Sequence, residues 1–133
     1  MKIKINQYMG VLGMGFILMS TYTFAQNNLD YEICMKAAKN QMKELKSCQM
    51  DEYKLQEKRV DVQLKKLLSK LEDNQRELLQ INQDRWLIQR KKMCGIRSVE
   101  IQDAPIVQLH CLVKATVTRA ELLEVQLRNK NLL

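Results

Sequence analysis

Residues Asn40 to Asp73, NQMKELKSCQMDEYKLQEKRVDVQLKKLLSKLED, decide the fold. Met50, Tyr53, Val60, Leu64, Leu67 and Leu71 recur at three- and four-residue steps, and Glu57 is the single polar interruption. That period places them in one narrow apolar seam along a helix, of the width that packs helix on helix. Asn40 has the chemistry of an N-cap for this helix. The pattern resumes through Leu78, Leu79, Trp86 and Met93 and stops at Cys94-Gly95, where glycine suits the position after a helix end. A single rod from Asn40 to Met93 would be about 80 Å long, far beyond the ~13 Å radius of gyration of a compact domain of this size. A break is therefore expected at Asp73-Asn74, with Asn74 as a new N-cap and Glu77 three residues on. The result is an antiparallel helical hairpin.

Working outward, residues 95–104 read as a loop. Pro105 suits the first turn of a last helix that runs to about Arg128 and carries Val107, Leu112, Val113, Val117, Leu122, Leu123 and Leu127. Residues 27–39 read as a partly helical lead-in. The expected fold is all-α, a small disulfide-stapled helical bundle built on the hairpin plus the C-terminal helix.

The N-terminus has a different character. Lys2 and Lys4 precede an apolar run from Tyr8 to Met19, and Thr23-Phe24-Ala25 offers small residues at the −3 and −1 positions of a signal-peptidase site. The run is much shorter than the ~20 residues of a membrane span and contains Gly10, Gly13 and Gly15. Residues 1–25 are thus expected to be a cleaved signal peptide. Gln26, not cysteine, follows the cut, so the mature chain 26–133 is expected to be periplasmic or secreted without a stable membrane anchor. Cleavage removes two lysines and no acid from a chain of net charge +7, which leaves +5. After Ala25 only Gly95 and Pro105 remain of the four glycines and one proline.

Cys34, Cys48, Cys94 and Cys111 all survive the cut, and an even count in a small exported chain reads as a disulfide framework. The local bridges Cys34–Cys48, across an extended lead-in that folds back along the helix, and Cys94–Cys111, across a 16-residue gap, are the favoured set. The set Cys34–Cys111 and Cys48–Cys94 stays open, because the hairpin brings Cys48 and Cys94 toward one end. The intervals lack the tight C-x₂₋₄-C knuckle of structural zinc, and no C-x-x-C redox pair exists. No metal or cofactor is expected.

Gln83, Trp86, Arg90 and Cys94 share one helix face. Their reading is structural: Trp86 in the core, Arg90 pairing a carboxylate such as Asp61, and Arg119 in a second ion pair. His110, the single histidine, has no serine or cysteine context that makes it a catalytic base, so the chain reads as a non-enzyme. The run Arg90-Lys91-Lys92 with Arg85 nearby could hold phosphate polymers. An exported protein rarely meets nucleic acid, so the charge points to anionic envelope components or acidic proteins.

The run Gln83-x-x-Trp86-x-x-x-Arg90-x-x-x-Cys94, followed by Cys111, Thr116, Arg119 and Leu123, resembles the lysozyme-inhibitor LprI-like family of small exported bacterial proteins. Cys34 and Cys48 fit that family's N-terminal cysteines, and Asp61 and Leu64 fit its D-x-x-L-N-x-x-Y segment. Lys65 and Leu68 depart from its Asn and Tyr, and the loop between Cys94 and Cys111 lacks the frequent glycine-rich stretch. The resemblance covers about Cys34 to Leu123. It implies a helical, disulfide-bonded protein of the periplasm or cell surface that inhibits lysozyme by protein–protein contact. The alternative is a structural or adaptor protein of the envelope that binds an anionic component or an acidic protein. Common lysozymes are basic, so an inhibitor of net +5 needs a locally acidic face, from Glu72, Asp73 and Glu77 at the hairpin tip or from Glu121 and Glu124.

Overall fold

The structure, a computed structural model, describes residues 22–97 and 100–129. Four α-helices follow one another: α1 (Tyr22–Ala37), α2 (Met42–Leu68), α3 (Asp73–Met93) and α4 (Ile106–Arg128), with a 3₁₀ turn at Ile101–Asp103. The expected all-helical, disulfide-stapled bundle is what the chain forms. Most of the expected signal peptide lies outside the described residues, and the expected cut after Ala25 falls within α1.

The lead-in is a full helix, not an extended strap. Lys39 and Asn40 turn the chain through left-handed backbone, with φ of 43° and 66°. Asparagine tolerates that conformation well, so Asn40 is used in the turn and the N-cap position of α2 passes to Gln41, which makes no side-chain cap bond. The turn brings α1 back against α2, and the bridge Cys34–Cys48 closes across it with a Cα separation of 5.8 Å.

α2 ends earlier than the spacing implied, with Ser69 as its C-cap. Arg76, on the first turn of α3, reaches back to donate to the Leu68 carbonyl (Nε, 3.2 Å) and the Leu71 carbonyl (Nη2, 2.9 Å), and it pairs with Asp73 at 2.8 Å. One guanidinium thus satisfies carbonyls that the helix end leaves without partners. Glu72 occupies the N-cap of α3. Asn74 lies inside the first turn instead, accepting from the Gln75 amide at 2.8 Å.

At the other end α3 stops as expected. Gly95 adopts φ 73°, its N–H reaches the Lys92 carbonyl at 3.2 Å, and the Ile96 N–H reaches the Lys91 carbonyl at 2.9 Å. This is a Schellman closure, in which glycine carries the left-handed residue without steric cost. Ile96 is buried behind it. The second bridge, Cys94–Cys111, ties this corner to the second turn of α4 with Cα atoms 5.5 Å apart. Pro105 takes the N-cap position of α4, one residue before the helix, and the helix ends at Arg128.

Two apolar clusters make the core. One joins Tyr53 and Ile96 to Ala104, Leu109, Leu112 and Val113; the other joins Val60, Leu67 and Leu71 to Ala120 and Leu123. Rising numbers on α2 meet rising numbers on α4, so these two helices run parallel and form the most extensive pairing in the molecule. Ala120, fully buried, lies within this pairing against Val60, Leu67 and Leu71. α3 runs back antiparallel to both.

Candidate functional site

α3 reaches the other helices through long polar side chains. Its buried residues are Gln83 and Arg90. Arg90 is 2% exposed and is gripped from both neighbouring helices. Its Nη1 donates to Glu57 on α2 and to Thr116 Oγ1 on α4 (2.9 Å), and its Nη2 donates to the Tyr53 hydroxyl at 3.3 Å. The Thr116 hydroxyl in turn donates to the Leu112 carbonyl at 2.7 Å. Glu57, the one polar break in the α2 seam, therefore exists to meet Arg90.

Trp86 lies one turn before Arg90. The Arg90 guanidinium packs 4.5 Å from its ring centroid and that of Arg119 5.5 Å from it. Arg119 also donates from Nε to Gln83 Oε1 at 3.0 Å. The side chains singled out on α3 and α4 (Gln83, Trp86, Arg90, Thr116 and Arg119) thus come together in one junction. Three expectations are corrected within it. Asp61 is exposed and takes no part; Glu57, one turn earlier, is the carboxylate that faces Arg90. Trp86 is half-buried at the rim, not in the core, with the Arg90 and Arg119 guanidiniums packed against its ring. Arg119 makes an amide hydrogen bond where an ion pair was expected.

The junction perturbs its titrating members. Burial pushes the Tyr53 phenol up to about 12; the Arg90 charge opposes this most, and the Glu57 charge and hydrogen bond add to the rise. Burial alone holds the Arg119 guanidinium below its ordinary value. Both shifts follow from a low-dielectric interface between helices.

A second buried polar group, which spacing did not reveal, joins α2 to α4. Arg59 grips Glu124 with two hydrogen bonds, 2.6 Å from Nε and 2.7 Å from Nη2, and also donates to Gln56 at 3.0 Å. Gln63 adds a bond to Glu124 at 3.3 Å, and Gln56 donates to Glu52 at 2.8 Å. The available signal was the step from Gln56 to Arg59 to Gln63 beside the apolar seam. Glu124, expected in an acidic outer face, is consumed here.

Elsewhere the surface is plain. Glu72, Asp73, Glu77 and Glu121 are exposed, as are Arg85, Lys91, Lys92 and His110, whereas Arg90 leaves the basic run for the interior. All four cysteines are bonded in the two bridges. Among the described residues no group of three or more His, Cys, Asp or Glu side chains gathers as a metal site, and no helix is long and apolar enough to cross a membrane.

The family model described as lysozyme inhibitor LprI matches residues 34–123, from the first bridged cysteine to the buried Leu123. The chain belongs to the LprI family. No curated protein and no solved structure matches it. The LprI match encloses both disulfides, the whole Arg90 junction and most of α4. What the family model covers is therefore the folded framework of α2, α3 and α4 with its bridge to α1.

Proposed function

We propose that this LprI-family chain is exported, loses residues 1–25, and inhibits a lysozyme by stoichiometric protein–protein contact with no chemistry of its own. The observation that carries the reading is the family match over 34–123, which contains two formed disulfides. Such bridges persist in an oxidising, extracytoplasmic setting. The surface best suited to a basic target is the α2–α3 tip, where Glu72, Asp73 and Glu77 are exposed. The Arg90 junction is the inward side of the inhibitor: it sets where α3 stands and does not touch the target.

Titration of the oxidised protein into a lysozyme cell-wall lysis assay tests this. Saturable inhibition near one-to-one, lost on reduction and weakened by Glu72→Lys with Asp73→Lys, is the expected result. Absence of inhibition against several lysozyme types overturns it. Exposed Arg85, Lys91 and Lys92 support a second reading, attachment to an anionic envelope component. That reading predicts salt-sensitive retention on envelope fractions with lysis unaffected.

A further inference from the structure

α3 is inverted. It turns Gln83 and Arg90 inward, with Leu79 and Leu87 half-buried beside them, and leaves three aliphatic side chains outside: Leu78 is 62% exposed, Ile81 45% and Ile88 70%. At the helical period, Leu78, Ile81, Arg85 and Ile88 fall on one stripe diametrically opposite Gln83 and Arg90. Their three- and four-residue steps are those of the seam of a two-helix coiled coil. We propose that this outer stripe of α3 is a homodimer interface, where a second copy of the chain packs antiparallel about a twofold axis level with Gln83.

Charge selects this occupant and this direction. In the antiparallel register Leu78 meets Ile88 of the second copy, and Ile81 meets the second copy's Arg85, whose stem covers apolar surface while its head reaches water. Along the flank, Glu77 of each copy faces Lys91 of the other, so the attraction occurs twice by symmetry. Asp84 meets its counterpart near the axis with both Arg85 guanidiniums beside it. The opposite flank carries the uncharged Gln75, Asn82 and Gln89. Parallel pairing would instead set the two Arg85 side chains directly against each other. Three aliphatic residues per copy bury less than a standard stable interface, so association is weak and concentration-dependent.

Sedimentation equilibrium of the oxidised protein, from about 1 to about 500 μM, brackets a dissociation constant on the order of 10–100 μM. Ile88→Lys, an exposed change checked by an unaltered melting curve, should leave only monomer. Glu77→Lys and Lys91→Glu should each weaken the dimer by about three- to tenfold, and the two together should restore it. A monomer at every concentration overturns the proposal, as does a dimer that Ile88→Lys leaves intact, or a charge swap that fails to restore what the single changes lose. If the protein is monomeric and Ile88→Lys abolishes lysozyme inhibition, the stripe belongs to the target enzyme and not to a second copy. None of the mass measurements involves lysozyme, so failure of the inhibitor reading and failure of the dimer are separately visible.

Discussion

The α2–α4 pair and the attachment of α3 solve the same packing problem in different ways. Between α2 and α4, Val60, Leu67, Leu109, Leu112, Ala120 and Leu123 close a largely apolar seam that works mainly through area and shape, with the Arg59–Glu124 pair at its side. α3 is held by hydrogen bonds to one buried cation, a stacked indole and an amide–guanidinium bond. A dry seam stabilises through burial and tolerates small slips. A buried arginine is stabilising only when its partners stand where its fork points, so it fixes one rotation and one height of α3. The seam thus makes the domain stable, while the junction decides which face of α3 looks outward.

That contrast can be broken from either side. The largest effect is expected from the seam: Leu112→Ala, at a fully buried position, should cost about 3–5 kcal/mol in denaturant unfolding. The native emission of Trp86, the one tryptophan in the chain, should stay as it is while the protein remains folded. Replacing Cys94 and Cys111 together by Ser comes next. Opening that loop should cost about 3 kcal/mol, read as a lower melting temperature with α4 still helical.

Arg90→Met should cost about 1–3 kcal/mol, since it takes a donor from the Tyr53 and Thr116 hydroxyls while the partly exposed Glu57 regains water. Unlike the seam variant, it should shift Trp86 emission in the folded protein, because α3 loses its fixed setting. A seam variant that moves Trp86 emission as much as Arg90→Met does would erase the distinction.

A smaller effect is expected from pH. The folded state holds the Tyr53 proton up to about 12 against an ordinary 10.0, so over that interval the native form binds more protons than the unfolded chain. The contribution is complete below pH 10 and is lost as pH rises from 10 toward 12. Tyr53→Phe should flatten that part of the stability profile. Smallest of all, Asp61→Asn should change stability by less than about 0.5 kcal/mol, because the carboxylate is exposed outside the junction.

The seam was legible in the sequence because a helix bundle writes its core as a period, and Tyr53, Val60, Leu67 and Leu71 are buried where the steps placed them. Gly95 was legible because few residues other than glycine suit that left-handed closure. Both disulfides formed in the arrangement that the spacing favoured. The shared face of Gln83, Trp86 and Arg90 was also readable, but the partner of Arg90 was not. Asp61 and Glu57 lie one turn apart on α2, and which of them meets α3 depends on the height at which two helices pack. Asn40 misled because the same side chain serves as an N-cap and as a left-handed turn residue. The lead-in, expected to be partly helical, was legible only in part for a different reason: Leu29 and Ile33 remain exposed, so α1 has little apolar period to read. Arg59 and Glu124 stand 65 residues apart, and no local rule pairs them.

The central claim is that the Arg90 junction clamps α3 to the α2–α4 pair, and a double-mutant cycle across the α3–α4 contact tests it most directly. Arg90→Met, Thr116→Val and their combination should show a coupling of about 1–2 kcal/mol in equilibrium unfolding, as expected for two buried groups sharing one hydrogen bond. Stability losses that simply add, within about 0.3 kcal/mol, would contradict the clamp.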